Sequence, residues 1–272
     1  MFVKGGCIVK QLPKSCGAFM LTILLILILF TGCQPAAAPT PAANTTLYVL
    51  MYHHFVVPGE DCNDVTTTTD RFREDLKWLV DNGYTFVLPR DLASGAPLPE
   101  KAVMITVDDG YTSNYDLAFP ILKEFNAKAV IALITHCMDY VDWAMTWDMC
   151  REMAQSGLVE FGSHTHNFHK YDETYGAYGI QRRPKESQAE YEARVFADLQ
   201  TSIDLIEANV GQEVLYFAYP HGKTDRWSDQ FLREHFKVTT TTQVAPADIF
   251  KGLYQLARYN INAVNRPWQF LD

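Results

Sequence analysis

The sequence predicts an α/β fold built on a parallel β-sheet, closed or open, in one large domain. Three observations carry this. Continuous apolar runs such as KAVMITV and AKAVIALIT alternate with longer stretches of helical periodicity. Uninterrupted hydrophobicity is what a strand shows when helices cover both faces of its sheet. Several of these runs stop at ionisable residues, and strand C-termini are where such barrels place their chemistry. The 272 residues, 48% hydrophobic and 20% charged, supply ample material for one core.

The N-terminus stands apart from that domain. Lys4, Lys10 and Lys14 precede the apolar run GAFMLTILLILILF, Gly17 to Phe30, which is short for a membrane span and reads as a secretion signal. The FTGCQ that follows resembles a bacterial lipoprotein signal, with Phe30 where Leu is usual. That resemblance implies cleavage before Cys33, lipidation of its thiol and anchoring to the outer face of the cell membrane. Residues 1–32 are thus read as the signal peptide and 33–45, CQPAAAPTPAANT, as a Pro/Ala-rich tether that buries no core. The folded domain is assigned to 46–272. Losing three lysines with the signal takes the formal charge from −9 to −12, which argues against nucleic acid as a partner. Cys62, Cys137 and Cys150 remain, without metal-type spacing; Cys137 and Cys150 are left as a pair or as free thiols.

Within the domain, TLYVLMYHHF reads as a strand. TTTTDRFREDLKWLVDNGY reads as a helix with Phe72, Leu76, Leu79 and Val80 on its apolar face, Thr69 or Asp70 as cap and Gly83 as stop. TFVLPRDL is a short strand running into a turn, and KAVMITVDDGY a buried strand. A helix over YDLAFPILKEFN, a strand over AKAVIALIT, a helix over TWDMCREMAQSG and a strand over LVEFGSH follow. Tyr191, Val195, Leu199, Ile203 and Ile206 mark one face of a long helix, started by a Ser187/Glu190 capping box and ended by Gly211. EVLYFAYPHG and KVTTTTQ are further strands.

Apolar strands run into ionisable residues at LMYHH, ITVDDG and VEFGSHTHNFH, and a fourth, YFAYPHG, ends in Pro, His and Gly. One carboxylate and two imidazoles form a common open set for a catalytic divalent metal, and a second carboxylate nearby suits a general base. TVDDGY, SHTHNFH and FAYPHG resemble three motifs of the polysaccharide deacetylase (NodB-homology) superfamily, carbohydrate esterase family 4. LMYHHF is similar to the start of its circularly permuted poly-β-1,6-N-acetylglucosamine deacetylase branch. The resemblance spans Leu47 to Asn262 and implies a deformed (β/α)7 barrel in a single catalytic domain. It implies Asp108 as general base, Asp109, His164 and His169 as metal ligands, and His53 as general acid. It further implies the backbone N–H of His221 at the oxyanion and Tyr219, Pro220 and Gly222 near the substrate. Zn²⁺ is the expected metal, with Co²⁺ or Ni²⁺ admissible.

Where the family's third motif begins with Arg, this chain has Ala218, and Arg258 is the candidate to approach Asp108 instead. His166 is read as a bystander between the two ligands, His54 as structural, and His136 and His235 as surface or packing residues. Trp143, Trp147, Tyr140, Tyr175 and Tyr178 are candidate sugar platforms, although core packing is the default for each. Ser163 and Thr165 are expected to hold the histidine loop. The function implied is removal of N-acetyl groups from an N-acetylglucosamine polysaccharide by a monomer: exopolysaccharide first, then peptidoglycan or chitin-like oligomers. The alternatives are an O-acetyl esterase on acetylated xylan or a similar glycan, and an inactive glycan-binding lipoprotein.

Overall fold

The computed structural model describes residues 46–271. The signal peptide, Cys33 and the tether lie outside the described residues. From the N-terminus the strands are β1 (Thr46–Tyr52), β2 (His54–Val56), β3 (Thr66–Thr68), β4 (Thr85–Phe86), β5 (Lys101–Val107) and β6 (Ala129–Leu133). There follow β7 (Val159–Ser163), β8 (Tyr171–Asp172), β9 (Ala177–Tyr178), β10 (Tyr216–Ala218), β11 (Val238–Thr240) and β12 (Tyr259–Asn260). Six α-helices intervene: α1 (Thr69–Asp81), α2 (Pro89–Ala93), α3 (Phe119–Phe125), α4 (Trp147–Gln155), α5 (Gln188–Val210) and α6 (Asp229–His235).

The main sheet runs β11-β10-β7-β6-β5-β1-β12, with β4 also paired to β5, and every pairing is parallel. The two ends of that path meet on one segment. Leu256 bridges Thr240 of β11, and three residues later Tyr259 lies opposite Leu50 of β1. Seven strands thereby curl into the expected (β/α)7 barrel. It is deformed because the closing contact is a single bridge rather than a full ladder. β2–β3 and the antiparallel hairpin β8–β9 stand outside it.

Strand parity sorts the core into two layers. Leu47 and Val49 of β1, Ala102 and Met104 of β5, Val130 and Ala132 of β6, and Tyr216 and Ala218 of β10 form the barrel interior. Tyr48, Leu50, Tyr52, Val103, Ile105, Ile131 and Phe161 alternate with them and pack outward under the helices. All of this sheet and core lies between Thr46 and Leu271.

The long helix α5 matches its sequence signals. Tyr191, Val195, Leu199, Ile203 and Ile206 are buried, Ser187 Oγ accepts from the Glu190 N–H at 3.3 Å, and Gly211 takes φ +76°. In α1 two expectations fail, and one residue that the periodicity left unassigned joins the core. The cap is Thr68, before both candidates; Val80 is 46% exposed; and Asp75 takes a place on the buried face. Asp75 is admitted because the Tyr52 hydroxyl and Arg266 Nε donate to it at 3.1 and 2.8 Å, a partnership drawn from opposite ends of the chain. Cys62, Cys137 and Cys150 are free thiols.

Candidate active site

The DDG turn at the end of β5 sets two adjacent carboxylates at one mouth. The Asp108 N–H continues the ladder to the Tyr52 carbonyl at 2.9 Å, so Asp108 keeps the inward parity of Ala102, Met104 and Thr106. Asp109 then takes φ +76° and Gly110 φ +81°, turning the chain before the second carboxylate can point to the opposite face. Only glycine fits the third position, where a Cβ would meet Leu133 Cδ2 at 2.8 Å.

Asp108 is locked by Arg258, which enters the barrel just before β12 and is 0% exposed. Its Nη1 donates to Asp108 Oδ1 at 2.8 Å and reaches Thr106 Oγ1 at 3.1 Å and the Tyr216 hydroxyl at 3.3 Å. Nη2 lies 2.8 Å from Oδ2, and Nε donates to the Thr241 carbonyl at 2.8 Å. Burial alone would raise the Asp108 carboxyl. Arg258, helped by His164 and His53, overrides it and holds that group well below the usual carboxylate range. Gly162, on the inward face of β7, makes room for this arrangement, since a Cβ there would stand 2.6 Å from Tyr216.

Asp109, His164 and His169 converge, each offering a ligand atom within 4.8 Å of the others. Asp109 Oδ1 lies 3.5 Å from His164 Nε2 and 3.4 Å from His169 Nε2, yet it is buried without a hydrogen-bond partner. Two donors each ~2.1 Å from a tetrahedral ion lie roughly 3.4 Å apart, so the spacing suits a shared cation. His164 Nδ1 lies 2.8 Å from the Ala218 carbonyl and donates to it, which turns the Nε2 lone pair toward Asp109. Burial lowers both imidazoles, His169 to about 3, so both are neutral at pH 7. Burial, then the Asp108 charge, pushes Asp109 up to about 7, while the Tyr111 hydroxyl hydrogen-bonds it. A carboxylate under this strain gains most from a positive ion.

The histidine loop is held rigidly. Thr165 takes φ +75°, Ser163 Oγ accepts its N–H at 3.1 Å, and Thr165 Oγ1 accepts the Phe168 N–H at 3.0 Å. Asp198 of α5 accepts the N–H groups of His166 and Asn167 at 2.9 and 2.8 Å. These bonds turn the His166 ring away from the cluster. Its Nδ1 lies 2.9 Å from Thr135 Oγ1, and its ring packs edge-on against His136.

His53, at the end of β1, has a buried Nδ1 without a hydrogen-bond partner, and its backbone carbonyl accepts from Asn114 Nδ2 at 2.7 Å. Burial lowers its imidazole to about 4 despite the opposing pull of Asp108. A near-neutral pKa, the natural expectation for a proton donor, is not what this pocket gives. His221 takes φ +56°, and its ring stacks on His169 with centroids 4.6 Å apart and meets Tyr178 at 5.2 Å. Gly222 is required because a Cβ would stand 2.1 Å from Thr242 Oγ1. Pro220 is buried under Gly179. The Tyr219 ring is buried against Phe217, on the helix side of β10, so any substrate contact there belongs to its backbone.

A cleft of about 210 Å³ opens over Asp109 and His169, lined also by Tyr111, Trp143, His136 and Lys170. Trp143 is 41% exposed and lies 5.1 Å from the Tyr111 ring, while Tyr140, Tyr175 and Tyr178 are also exposed. The default of core packing therefore holds for Trp147 alone. His54 packs on Tyr111, and His235 on Phe231. Sequence reasoning missed Asp198, Thr135, Tyr216 and Asn114. Only Asp198 left a trace, as an acidic residue on an otherwise apolar-flanked turn of α5.

Residues 95–238 match the family described as polysaccharide deacetylase. The chain is 28% identical to a poly-β-1,6-N-acetyl-D-glucosamine N-deacetylase of Escherichia coli, aligned over 75% of this chain and 37% of that protein. It thus spans little more than a third of that relative's length. Among solved structures, the deacetylase domain of BpsB from Bordetella bronchiseptica superposes with a TM-score of 0.66 at 31% identity, over 82% of this chain and 98% of that one. A de-N-acetylase from Aggregatibacter actinomycetemcomitans gives 0.70 at 28% identity, over 81% and 96%. The matched residues carry β5, β6, β7 and β10, with Asp108, Asp109, His164 and His169 at their ends, and the chain belongs to the polysaccharide deacetylase family.

Proposed function

We propose that this chain is a metal-dependent de-N-acetylase acting on N-acetylated polysaccharide, with poly-β-1,6-N-acetylglucosamine the leading substrate. The observation that carries it is the orphaned Asp109 Oδ1, buried between two neutral imidazole Nε2 atoms and beside an arginine-locked carboxylate. Asp109, His164 and His169 would hold the ion, and Zn²⁺ suits one carboxylate with two imidazoles. When bound, such an ion acidifies water and polarises a carbonyl.

Asp108 is the general base. Its pairing with Arg258 keeps it ionised next to Asp109, where two bare buried carboxylates would otherwise share a proton. His53 is the general acid. Its resting imidazole is neutral, so it would first take up the proton that Asp108 removes from the attacking water and then hand a proton to the leaving nitrogen. The His221 N–H, fixed by the left-handed turn ahead of Gly222, faces the developing oxyanion, and its ring braces His169. Trp143 and Tyr111 offer a face for a sugar ring at the cleft. On this reading the enzyme is secreted and held to the membrane by lipidated Cys33, with the Pro/Ala tether giving it reach.

Acetate release by His53→Ala from an N-acetylglucosamine oligomer and from an O-acetylated xylan oligomer tests the assignment. An amine is a far poorer leaving group than an alkoxide, so the amide reaction should fall ~10²-fold or more while any ester reaction falls less. Equal losses on both substrates would reject His53 as the proton donor. Ester release alone in the parent chain would replace the reading with an O-acetyl esterase.

A further inference from the structure

The antiparallel hairpin β8–β9 stands outside the barrel, and its sequence is arranged around one face. Tyr171 pairs with Tyr178 across the two strands, and Asp172 with Ala177. Neighbouring residues on a strand point to opposite sides, so the two tyrosines share one face and Asp172 and Ala177 the other. Ala177 is buried, whereas Tyr171 and Tyr178 stay 47% and 38% exposed. Their ring centroids lie 4.5 Å apart, and such a cross-strand aromatic pair steadies a hairpin. Steadying alone does not account for where the pair sits.

The hairpin is pressed onto the turn that carries His221. Gly179 leaves it at φ +57°, where a Cβ would stand 3.0 Å from Pro220 Cβ, and the Gly179 N–H donates to the Lys170 carbonyl at 3.1 Å. Asp172 Oδ1 accepts the N–H groups of Thr174 and Tyr175 at 3.2 and 3.3 Å, and Arg183 Nη2 donates to its Oδ2 at 2.8 Å. From the metal-ligand cluster, aromatic rings then follow one another outward. His169 lies 4.6 Å from His221, His221 5.2 Å from Tyr178, and Tyr178 4.5 Å from Tyr171, each step about the width of one pyranose ring. Trp143 and Tyr111 reach the cluster through Asp109 instead, because the Tyr111 hydroxyl hydrogen-bonds that carboxylate. Two aromatic platforms thus approach the cluster through different ligands. The outer one presents uncharged ring faces and phenol hydroxyls, which match the C–H faces and hydroxyls of a neutral sugar.

We propose that Tyr178 and Tyr171 form a second glycan subsite, which holds the sugar units next to the one being deacetylated. Tyr178 takes the adjoining unit and Tyr171 the unit after it. The identity of the glycan rests on the deacetylase reading. Chain-length selectivity follows from the order of the rings. A dimer with one unit at the metal ligands does not reach Tyr171, whereas a pentamer does.

Dimers and pentamers of β-1,6-linked N-acetylglucosamine are compared as substrates of the parent, Tyr171→Val and Tyr171→Phe. Pentamer affinity is measured by calorimetry on each protein after chelator stripping. Valine keeps the strand propensity and removes the ring, whereas phenylalanine keeps the ring. Tyr171→Val should weaken pentamer binding and kcat/KM about threefold to tenfold, mostly through KM, and change the dimer reaction less than about twofold. Tyr171→Phe should retain most of the pentamer affinity. A substitution that merely loosened the hairpin would slow both substrates together, through Tyr178 and His221, and that result overturns the proposal. Unaltered pentamer affinity in Tyr171→Val also overturns it, even where acetate release upholds the deacetylase reading. Affinity that falls in Tyr171→Val, in a parent that releases no acetate from either oligomer, upholds the subsite and rejects that reading.

Discussion

Arg258→Met removes the guanidinium from Asp108 while keeping a side chain of similar length inside the barrel. In the parent both partners are buried, with two N···O separations of 2.8 Å. Deleting one member of such a pair leaves an uncompensated buried charge and costs about 3–5 kcal/mol. For a domain of this size that is roughly 6–20 °C in melting temperature. The sign of the pH dependence follows from the shift. The folded Asp108 carboxyl is depressed in the parent, so the pair contributes stability above the ordinary carboxylate pKa and loses it as pH falls through the folded value. Without Arg258, burial is opposed only by His164 and His53 and the folded pKa moves above the unfolded one, so the deficit should shrink as pH is lowered from 7. Activity should move oppositely. The variant's base is protonated at neutral pH, so the acid limb of kcat/KM shifts upward and part of the loss returns in alkaline buffer. Thermal melts and pH–rate profiles of parent, Arg258→Met and Asp108→Asn/Arg258→Met check this, the double variant being expected to recover part of the stability. A pH–rate profile that superimposes on the parent's, or a deficit constant with pH, would refute the electrostatic role.

Metal affinity should depend on pH through one proton. His164 and His169 are neutral at pH 7, while Asp109 is raised to about 7 by burial and Asp108, so cation binding displaces a proton from Asp109. Chelator competition should show Zn²⁺ affinity falling about tenfold per pH unit below 7 and levelling above it; a flat profile would contradict the Asp109 assignment. Gly162→Ala should cost ~1–3 kcal/mol in denaturant melts, since its Cβ meets Tyr216, and should lower kcat by disturbing Arg258. His169→Ala should abolish stoichiometric metal binding, whereas His166→Ala should retain it and lose only stability; inverted results would exchange the two roles.

Much of this site was legible because its residues sit where apolar strands end. Asp108, Asp109 and His164 follow uninterrupted runs, and a charge at such a boundary stands out against the pattern. The spacing within SHTHNFH did not by itself separate His166 from His169. What separates them is Asp198 on α5 and Thr135 after β6, which turn the His166 backbone and ring away. Such partners are made by tertiary packing across more than thirty residues: Thr135 leaves no local signal, and Asp198 only that of an acid among apolar neighbours on α5. The same holds for β12. Tyr259 and Asn260 form a two-residue strand that pairs with β1 only because the barrel closes there, bringing Arg258 to Asp108. The failed reading of Val80 has a comparable cause. Helical spacing placed it on the apolar face, but the Asp75–Arg266–Tyr52 contact rotates the buried stripe toward Asp75.

Acetate release from an N-acetylglucosamine oligomer by the chelator-stripped protein, before and after adding one equivalent of Zn²⁺, tests the central claim most directly. The account predicts no release from the stripped protein, restoration on adding the ion, and no restoration in Asp109→Asn. Release that survives stripping, or glycan binding with no release under any divalent cation, would contradict it.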